Sequence, residues 1–429
     1  MTVVEITDVR LFPLDPEVFV GGNLDAPTVA HHSPGYSVKF GGWVLARDTP
    51  IEKILVRDGN LPIANRSLDI SRPDVTASFP DFADAMSGFE FDIDTLMVPE
   101  QFTLNLIILL EDERRFPFAE VVGRRASFHI PYTPHYSPIS MLGLPRSGTT
   151  LLMRYLGAHP RVIHVPRYPY EMIGLNYWLH LFRVLTASAD HQRSSHPNTF
   201  LKDEHFIGHH PHFTDVYDPV LAQWFREQYI PDIAALALRS LDGVYRAMAV
   251  AQDKMDAVWF AEKVSSVPSF GLQWTFYPRA RSVFIVRDVR DQFCSHLAFS
   301  RKRDLFGFNY DQTSEREYFL KVYWRMMSNY HQWKQHPDSV HMLRYEDLIL
   351  KPFETLTTMF GALGLDNDSS LIQKIHDVGE ADPTELASHR TTESVAASIG
   401  RWKRELSREQ IALFEEIFGD LLTEFGYEV

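Results

Sequence analysis

Residues 139–159 read Ile-Ser-Met-Leu-Gly-Leu-Pro-Arg-Ser-Gly-Thr-Thr-Leu-Leu-Met-Arg-Tyr-Leu-Gly-Ala-His. An apolar run ending in Leu142 enters a turn carrying Gly143, Pro145 and Gly148, and helix formers begin at about Thr149. The order is strand, glycine loop, helix. Such a junction suits a phosphate: glycines let the backbone approach closely, loop N–H groups converge, and the helix N-terminus adds partial positive charge. Gly143 and Gly148 keep the G-x-x-x-x-G spacing of a nucleoside-triphosphate loop, but Thr149 stands where that loop needs its phosphate-binding lysine. The cation lies inside the loop instead, at Arg146. A kinase or ATPase so altered loses the charge that holds the β/γ-phosphates, whereas Arg146 can face a different transferred group. Taken alone, a glycine turn of this kind also occurs as a tight connection.

Working outward, Ser282-Val-Phe-Ile-Val-Arg-Asp-Val-Arg-Asp-Gln-Phe-Cys-Ser295 delivers Arg287 at the C-terminal end of a β-branched run, where open α/β sheets bind ligands. Ser295 follows eight residues on, about two turns into the next helix. Arg offers a charge-assisted fork and Ser a neutral donor, although an Arg-Asp pair after a strand can also be a structural ion pair. Pro145-Arg-Ser-Gly-Thr-Thr150 resembles the phosphosulfate loop of sulfotransferases that use 3′-phosphoadenosine-5′-phosphosulfate (PAPS), in the branch that carries Arg, as tyrosylprotein and many bacterial sulfotransferases do. Arg287 and Ser295 match that family's 3′-phosphate pair in spacing and order.

The resemblance implies roles for these residues. Pro145, Arg146, Ser147, Gly148, Thr149 and Thr150 would cradle the 5′-phosphosulfate, and Arg287 with Ser295 would hold the 3′-phosphate. Lys263, ending the apolar run before Val264, matches the lysine that attends the transferred sulfuryl group; a solvated strand-end lysine is the plain alternative. Ser398-Ile-Gly-Arg-Trp-Lys-Arg-Glu-Leu406 resembles the family's late basic segment, which implies that Arg401 and Lys403 reach the 3′-phosphate; it also reads as the basic start of a helix ending near Leu422. Arg344-Tyr-Glu-Asp-Leu348 reads as mainly architectural.

Transfer to a hydroxyl needs a base for the acceptor proton and positive charge at the leaving oxygen. In the Arg-loop branch a Glu follows the first helix and its His-Pro turn, which makes Glu171 the candidate base; a Glu early in a helix after Pro169 could instead serve the helix dipole. His205, His209, His210 and His212 compete, as a base or as metal ligands, within the segment 187–218 that would cover the acceptor. The cluster includes no Cys, and sulfuryl transfer from PAPS uses no divalent ion, so no metal is expected.

The fold class expected is α/β: a P-loop-like parallel sheet flanked by helices over 136–429, preceded by a small all-β, sandwich-like domain over 1–130. In the latter, Phe89, Phe91 and Ile93 alternate with Glu90, Asp92 and Asp94, and Phe102 to Leu110 continue the period. Asp58-Gly59 signals a hairpin, and the stretch Ser71–Ser87 reads as loop. Pro131-Tyr-Thr-Pro-His135 reads as the linker. Beyond it, helices are expected from Thr149, over 169–187 and 219–253, to about Phe276 and from Val289, with strands at 257–261 and Ser282–Val286.

Composition bounds the partners. Hydrophobic residues make 45% and charged residues 23% of the 429, an ordinary globular balance. A net charge of −14 disfavours nucleic acid and anionic membranes, so any polyanion site must be a local basic pocket. No apolar run spans a bilayer, the N-terminus lacks a signal pattern, and Cys294 is the lone cysteine, which fits a reducing cytoplasm; the resemblance, whose animal Golgi members carry a membrane anchor, then implies a bacterial-type cytoplasmic enzyme. The expected function is sulfuryl transfer from PAPS to a hydroxyl of a small-molecule or glycan acceptor, with an oligosaccharide first and PAP (adenosine 3′,5′-bisphosphate) released. A P-loop kinase and a non-catalytic glycan-binding protein are the alternatives. Oligomeric state is not readable.

Overall fold

The computed structural model describes residues 2–59, 61–82, 84–186, 219–264, 270–303, 314–381 and 391–429. They form two compact units, Met1–Thr133 with Tyr177–Arg239 and Pro268–Phe276, and Pro134–Asn176 with Ser240–Val267 and Tyr277–Val429.

In the first unit the period-two alternation forms strands with one buried face. They are β1 (Val4–Leu11), β2 (Phe19–Ala26), β3 (His32–Ser33), β4 (Ser37–Ala46), β5 (Ile51–Asp58), β6 (Leu61–Arg66), β7 (Ile70–Ser71), β8 (Met86–Asp94), β9 (Gln101–Leu110) and β10 (Arg115–Arg125). Two antiparallel sheets result, ordered β3-β1-β10-β9-β5-β6 and β2-β4-β8-β7. Their apolar faces meet: Phe89 of β8 packs edge-on against Phe118 of β10 at 6.2 Å, and Phe19 of β2 against Phe116 of β10 at 5.0 Å. The stretch read as loop over Ser71–Ser87 instead carries the helix Pro73–Ser78 and a 3-10 turn Pro80–Phe82. Pro73 starts that helix, where its missing N–H leaves no bond unmade.

In the second unit five parallel strands, β11 (Ser137–Leu142), β12 (Val162–Ile163), β13 (Trp259–Lys263), β14 (Arg281–Val286) and β15 (Val340–Arg344), lie in the order β12-β13-β11-β14-β15. Every residue of β11 is buried, as a parallel strand covered on both faces requires. Its neighbours β13 and β14 bring Lys263, Arg287 and the glycine loop to one edge, the C-terminal edge of the sheet. The helix expected from Thr149 forms as Thr149–Ala158, and its apolar side joins Ile139, Met141, Val283 and Ile285 in the core through Leu152 and Leu156. The pattern over 169–187 yields a shorter helix, Gly174–Thr186, and that over 219–253 forms Pro219–Trp224, a π-helical turn Phe225–Tyr229 and Ile230–Ala251. Among the described residues no helix is long and apolar enough to cross a membrane.

The helix Thr149–Ala158 is held at its far end by Lys254. The ammonium donates to the carbonyl oxygens of Gly157 at 2.6 Å, His159 at 3.1 Å and Val162 at 2.7 Å, and burial lowers its pKa to about 8. A cation suits the carbonyl-rich C-terminus of a helix. Lys254→Met leaves these carbonyls without that donor, and urea titration at neutral pH is expected to show a loss of about 1.5–3 kcal/mol; unchanged stability would refute this role.

Candidate functional site

The glycine loop is shaped by close contacts. Gly148 sits at φ 94 as the N-cap of the helix, and a Cβ there would lie 2.5 Å from the ring of Tyr345. At Gly143 a Cβ would lie 2.8 Å from Ile285, so both glycines are required. Ser147 is buried and its hydroxyl and amide both bond Leu144 O, at 2.7 and 3.2 Å, closing the turn from within. The helix has no side-chain cap, and its first intrahelical bond beyond the loop is Leu152 N to Gly148 O at 3.1 Å. The amides that precede it point out of the helix end, where an anion is favoured.

Arg146 adopts φ 70, a backbone that non-glycine residues rarely hold. Its carbonyl accepts a 2.8 Å bond from Arg287, whose other terminal nitrogen donates to Ser398 O at 2.8 Å. Arg287 is 5% exposed, its guanidinium lies 4.5 Å over the Tyr345 ring, and its buried Nε finds no acceptor among the described residues. Arg146 Nε donates to Ser295 Oγ at 3.3 Å, and its guanidinium covers Phe299 at 4.5 Å. Arg146, Gly148, Thr149, Thr150, Arg287 and Ser295 therefore line one cavity. An orphaned buried guanidinium nitrogen, an uncapped helix start and a second arginine fit a ligand bearing more than one anionic group.

The late segment closes the other side of this cavity. Asp291 accepts from Gly400 N at 2.6 Å and Trp402 N at 2.9 Å, and burial raises its pKa. Arg401 forks onto Glu405 and donates to Thr391 Oγ1 at 3.0 Å, at the cavity wall. Lys403 instead pairs with Glu428 at 2.8 Å and lies outside the cavity lining. Its charge is spent on the chain's C-terminal end, a tertiary contact that local sequence does not announce.

Lys263 and Glu171 come together. Lys263 Nζ bonds Glu171 Oε1 at 3.0 Å, Pro169 O at 2.8 Å and Thr150 Oγ1 at 3.3 Å, which brings it against the helix start. Burial lowers the Lys263 pKa, with Glu171 opposing that shift. Glu171 lies in irregular backbone ahead of the helix Gly174–Thr186, so a helix-dipole role does not describe it; its carboxylate is half exposed. Glu262, the residue before Lys263 in β13, grips the same segment from the other side, accepting from Gly174 N at 3.1 Å, Leu175 N at 2.9 Å and the Tyr245 hydroxyl. Burial pushes its pKa up to about 8 against the lowering effect of the two amides.

Sequence reasoning missed Glu262, Tyr345, Thr391, Thr392, Ser398 and Glu380. For Tyr345 the signal existed. Within Arg344–Leu348, Glu346 is the architectural member, bonding Asp288 N at 3.2 Å and the Tyr427 hydroxyl at 2.7 Å, while its neighbour Tyr345 faces the cavity. His205, His209, His210 and His212 lie outside the described residues. Among those described, no group of three or more His, Cys, Asp or Glu could hold a metal ion.

A family model described as the sulfotransferase family matches residues 138–369, more than half of the chain. Human carbohydrate sulfotransferase 1 is 30% identical over 90 residues, which cover 20% of this chain and 22% of that protein. Thus the match spans about a fifth of that relative's length. Among solved structures, the sulfotransferase domain of the Synechococcus PCC 7002 olefin synthase aligns with TM-score 0.38 and 18% identity, over 71% of this chain and 100% of that one. Mouse sulfotransferase SULT7A1, complexed with PAP, aligns with TM-score 0.36 and 12% identity, over 67% of this chain and 85% of that one.

The buried Glu262 carboxyl yields a stability signature. Its folded pKa of about 8 exceeds the ordinary 4.5, so between these values the folded chain holds a proton that the unfolded chain has lost. This contribution is full below pH 4.5 and is lost as pH rises through about 8. Relative to Glu262→Gln, the wild-type unfolding free energy is expected to fall across that window by up to about 1.4 kcal/mol per pH unit. Parallel pH profiles from denaturant titrations would rule it out.

Proposed function

This chain belongs to the sulfotransferase family, and on that premise we propose that it transfers a sulfuryl group from PAPS to an acceptor hydroxyl and releases PAP. The observation that carries this reading is the single cavity joining an uncapped helix start to Arg146, Arg287 and Ser295. In it Arg287 and Ser295 hold the 3′-phosphate. The amides of Gly148, Thr149 and Thr150 receive the 5′-phosphate; the Ser147 amide and hydroxyl are committed to Leu144 and shape the turn. Arg401 supports the 3′-phosphate side through Thr391, and Lys403 would have to leave Glu428 to reach it.

Chemically, the acceptor oxygen forms the new S–O bond as the bond from sulfur to the bridging phosphate oxygen breaks. Glu171 takes the acceptor proton, and Lys263 and Arg146 face the negative charge that builds on the leaving side. The 3.0 Å pair with Lys263 holds that carboxylate beside the helix start. Residues 136–429 make up the catalytic domain in this reading, and 1–130 an accessory β domain. A saccharide hydroxyl is the acceptor we favour, in keeping with the relative that carries carbohydrate in its name.

Calorimetric titration with PAP in chelator, beside ATP with magnesium, tests the donor. Tight PAP binding without metal is expected; binding of ATP with magnesium alone would point to a kinase and overturn the reading. Arg287→Ala is expected to weaken PAP binding by about 1.5–3 kcal/mol. Glu171→Gln is expected to leave PAP affinity within about twofold while lowering turnover of saccharide acceptors by 10²-fold or more; full turnover would remove Glu171 as the base.

A further inference from the structure

One wall of the cavity contradicts its cationic character. Glu380, the last residue of the helix Ser369–Glu380, lines the same space as Arg146, Arg287 and Ser295. A carboxylate repels a bisphosphate, and this one is exposed with the Tyr155 hydroxyl as its donor, so its remaining acceptor capacity suits a neutral N–H of the ligand rather than a phosphate.

Its immediate surroundings are built rather than incidental. The Tyr155 hydroxyl donates to Glu380 Oε1 at 2.8 Å, and Tyr155 is 1% exposed. Burial, reinforced by the Glu380 charge, raises the Tyr155 pKa, so the phenol remains a donor at all working pH values. Gly379 leaves room for that ring, since a Cβ there would lie 2.3 Å from it, and His376 stacks on it at 6.1 Å. The carboxylate has acceptor capacity beyond Tyr155. Leu151 lies one turn before Tyr155 on the same helix face, and Leu151 and Val395 give this cavity apolar surface of the kind a flat ring packs on.

Resting on the donor reading above, we propose that Glu380 reads the nucleotide's base by accepting a hydrogen bond from the exocyclic 6-amino group of adenine, with the ring packed on Leu151 and Val395. Glu380 thereby sets base specificity while Arg287 and Ser295 set phosphate affinity.

The test compares PAP with purine riboside 3′,5′-bisphosphate, which lacks only the amino group, on the full-length chain by calorimetry. Wild type is expected to prefer PAP at least tenfold. In Glu380→Gln the amide oxygen stays on Tyr155 and the NH₂ faces the base, so the preference is expected to fall to within about twofold, with the purine ligand bound at least as tightly as before. Retained binding of that ligand doubles as the folding control. No preference in wild type, or an undiminished preference in Glu380→Gln, overturns the assignment while leaving the donor reading intact. Sensitivity to the 2′-deoxy analogue of PAP that Glu380→Gln abolishes would reassign the carboxylate to the ribose and also overturn it. If wild type binds neither nucleotide, the donor reading and this assignment fall together.

Discussion

Two bonds from one buried guanidinium hold the site together. Arg287 leaves the end of β14 and donates to Arg146 O in the glycine loop and to Ser398 O in the late segment, each at 2.8 Å. Three stretches far apart in sequence therefore share one side chain. The left-handed backbone of Arg146 presents the carbonyl for this bond, and Tyr345, at the start of the helix Tyr345–Leu350 after β15, supports the guanidinium. The third nitrogen, Nε, is left over. An arginine so fixed has little rotamer freedom left to lose on meeting an anion, an advantage of the planar, pre-oriented guanidinium over a flexible Lys.

Around this arginine the remaining charges are mostly spent on holding backbone. Asp291 binds the amides of Gly400 and Trp402, Glu346 binds Asp288 N and Tyr427, and Arg290 is bidentate on Asp288 while reaching Glu428 O at 2.5 Å. Arg290 also lies 3.8 Å over the Trp402 ring. The C-terminal residues thus brace the late segment that closes the cavity. Buried networks of this kind are costly when half satisfied. Cys294 sits beside them with its thiol pushed up to about 12 by burial, which leaves it inert as a nucleophile.

How far the sequence could be read depended on how local each signal was. The strand, glycine loop and helix, and the Arg287 to Ser295 spacing, lie within single strand–helix units, where residue period dictates geometry. The alternation of β8 and β9 was equally legible. The pair of Lys403 with Glu428 joins positions that no local window holds, and Glu380 stands out only through the Tyr155 hydroxyl that reaches it from a distant helix. Glu262 looked like any polar residue before a lysine. Its burial comes from Tyr245 and the amides of Gly174 and Leu175, which no window of β13 contains. The stretch Ser71–Ser87 misled because Pro and Asp suit a helix start as well as a loop.

Glu262 and Lys263 leave β13 on opposite sides and grasp the two ends of the segment from Pro169 to Leu175. The position of Glu171 is therefore written in strand register. A one-residue slip of β13 against β11 would send the lysine into the protein and the buried carboxyl to the outside, reversing both grips at once. Changes of length next to this strand should be tolerated far less than changes of side chain within it, so its spacing from β11 acts as the ruler for the Lys263–Glu171 pair.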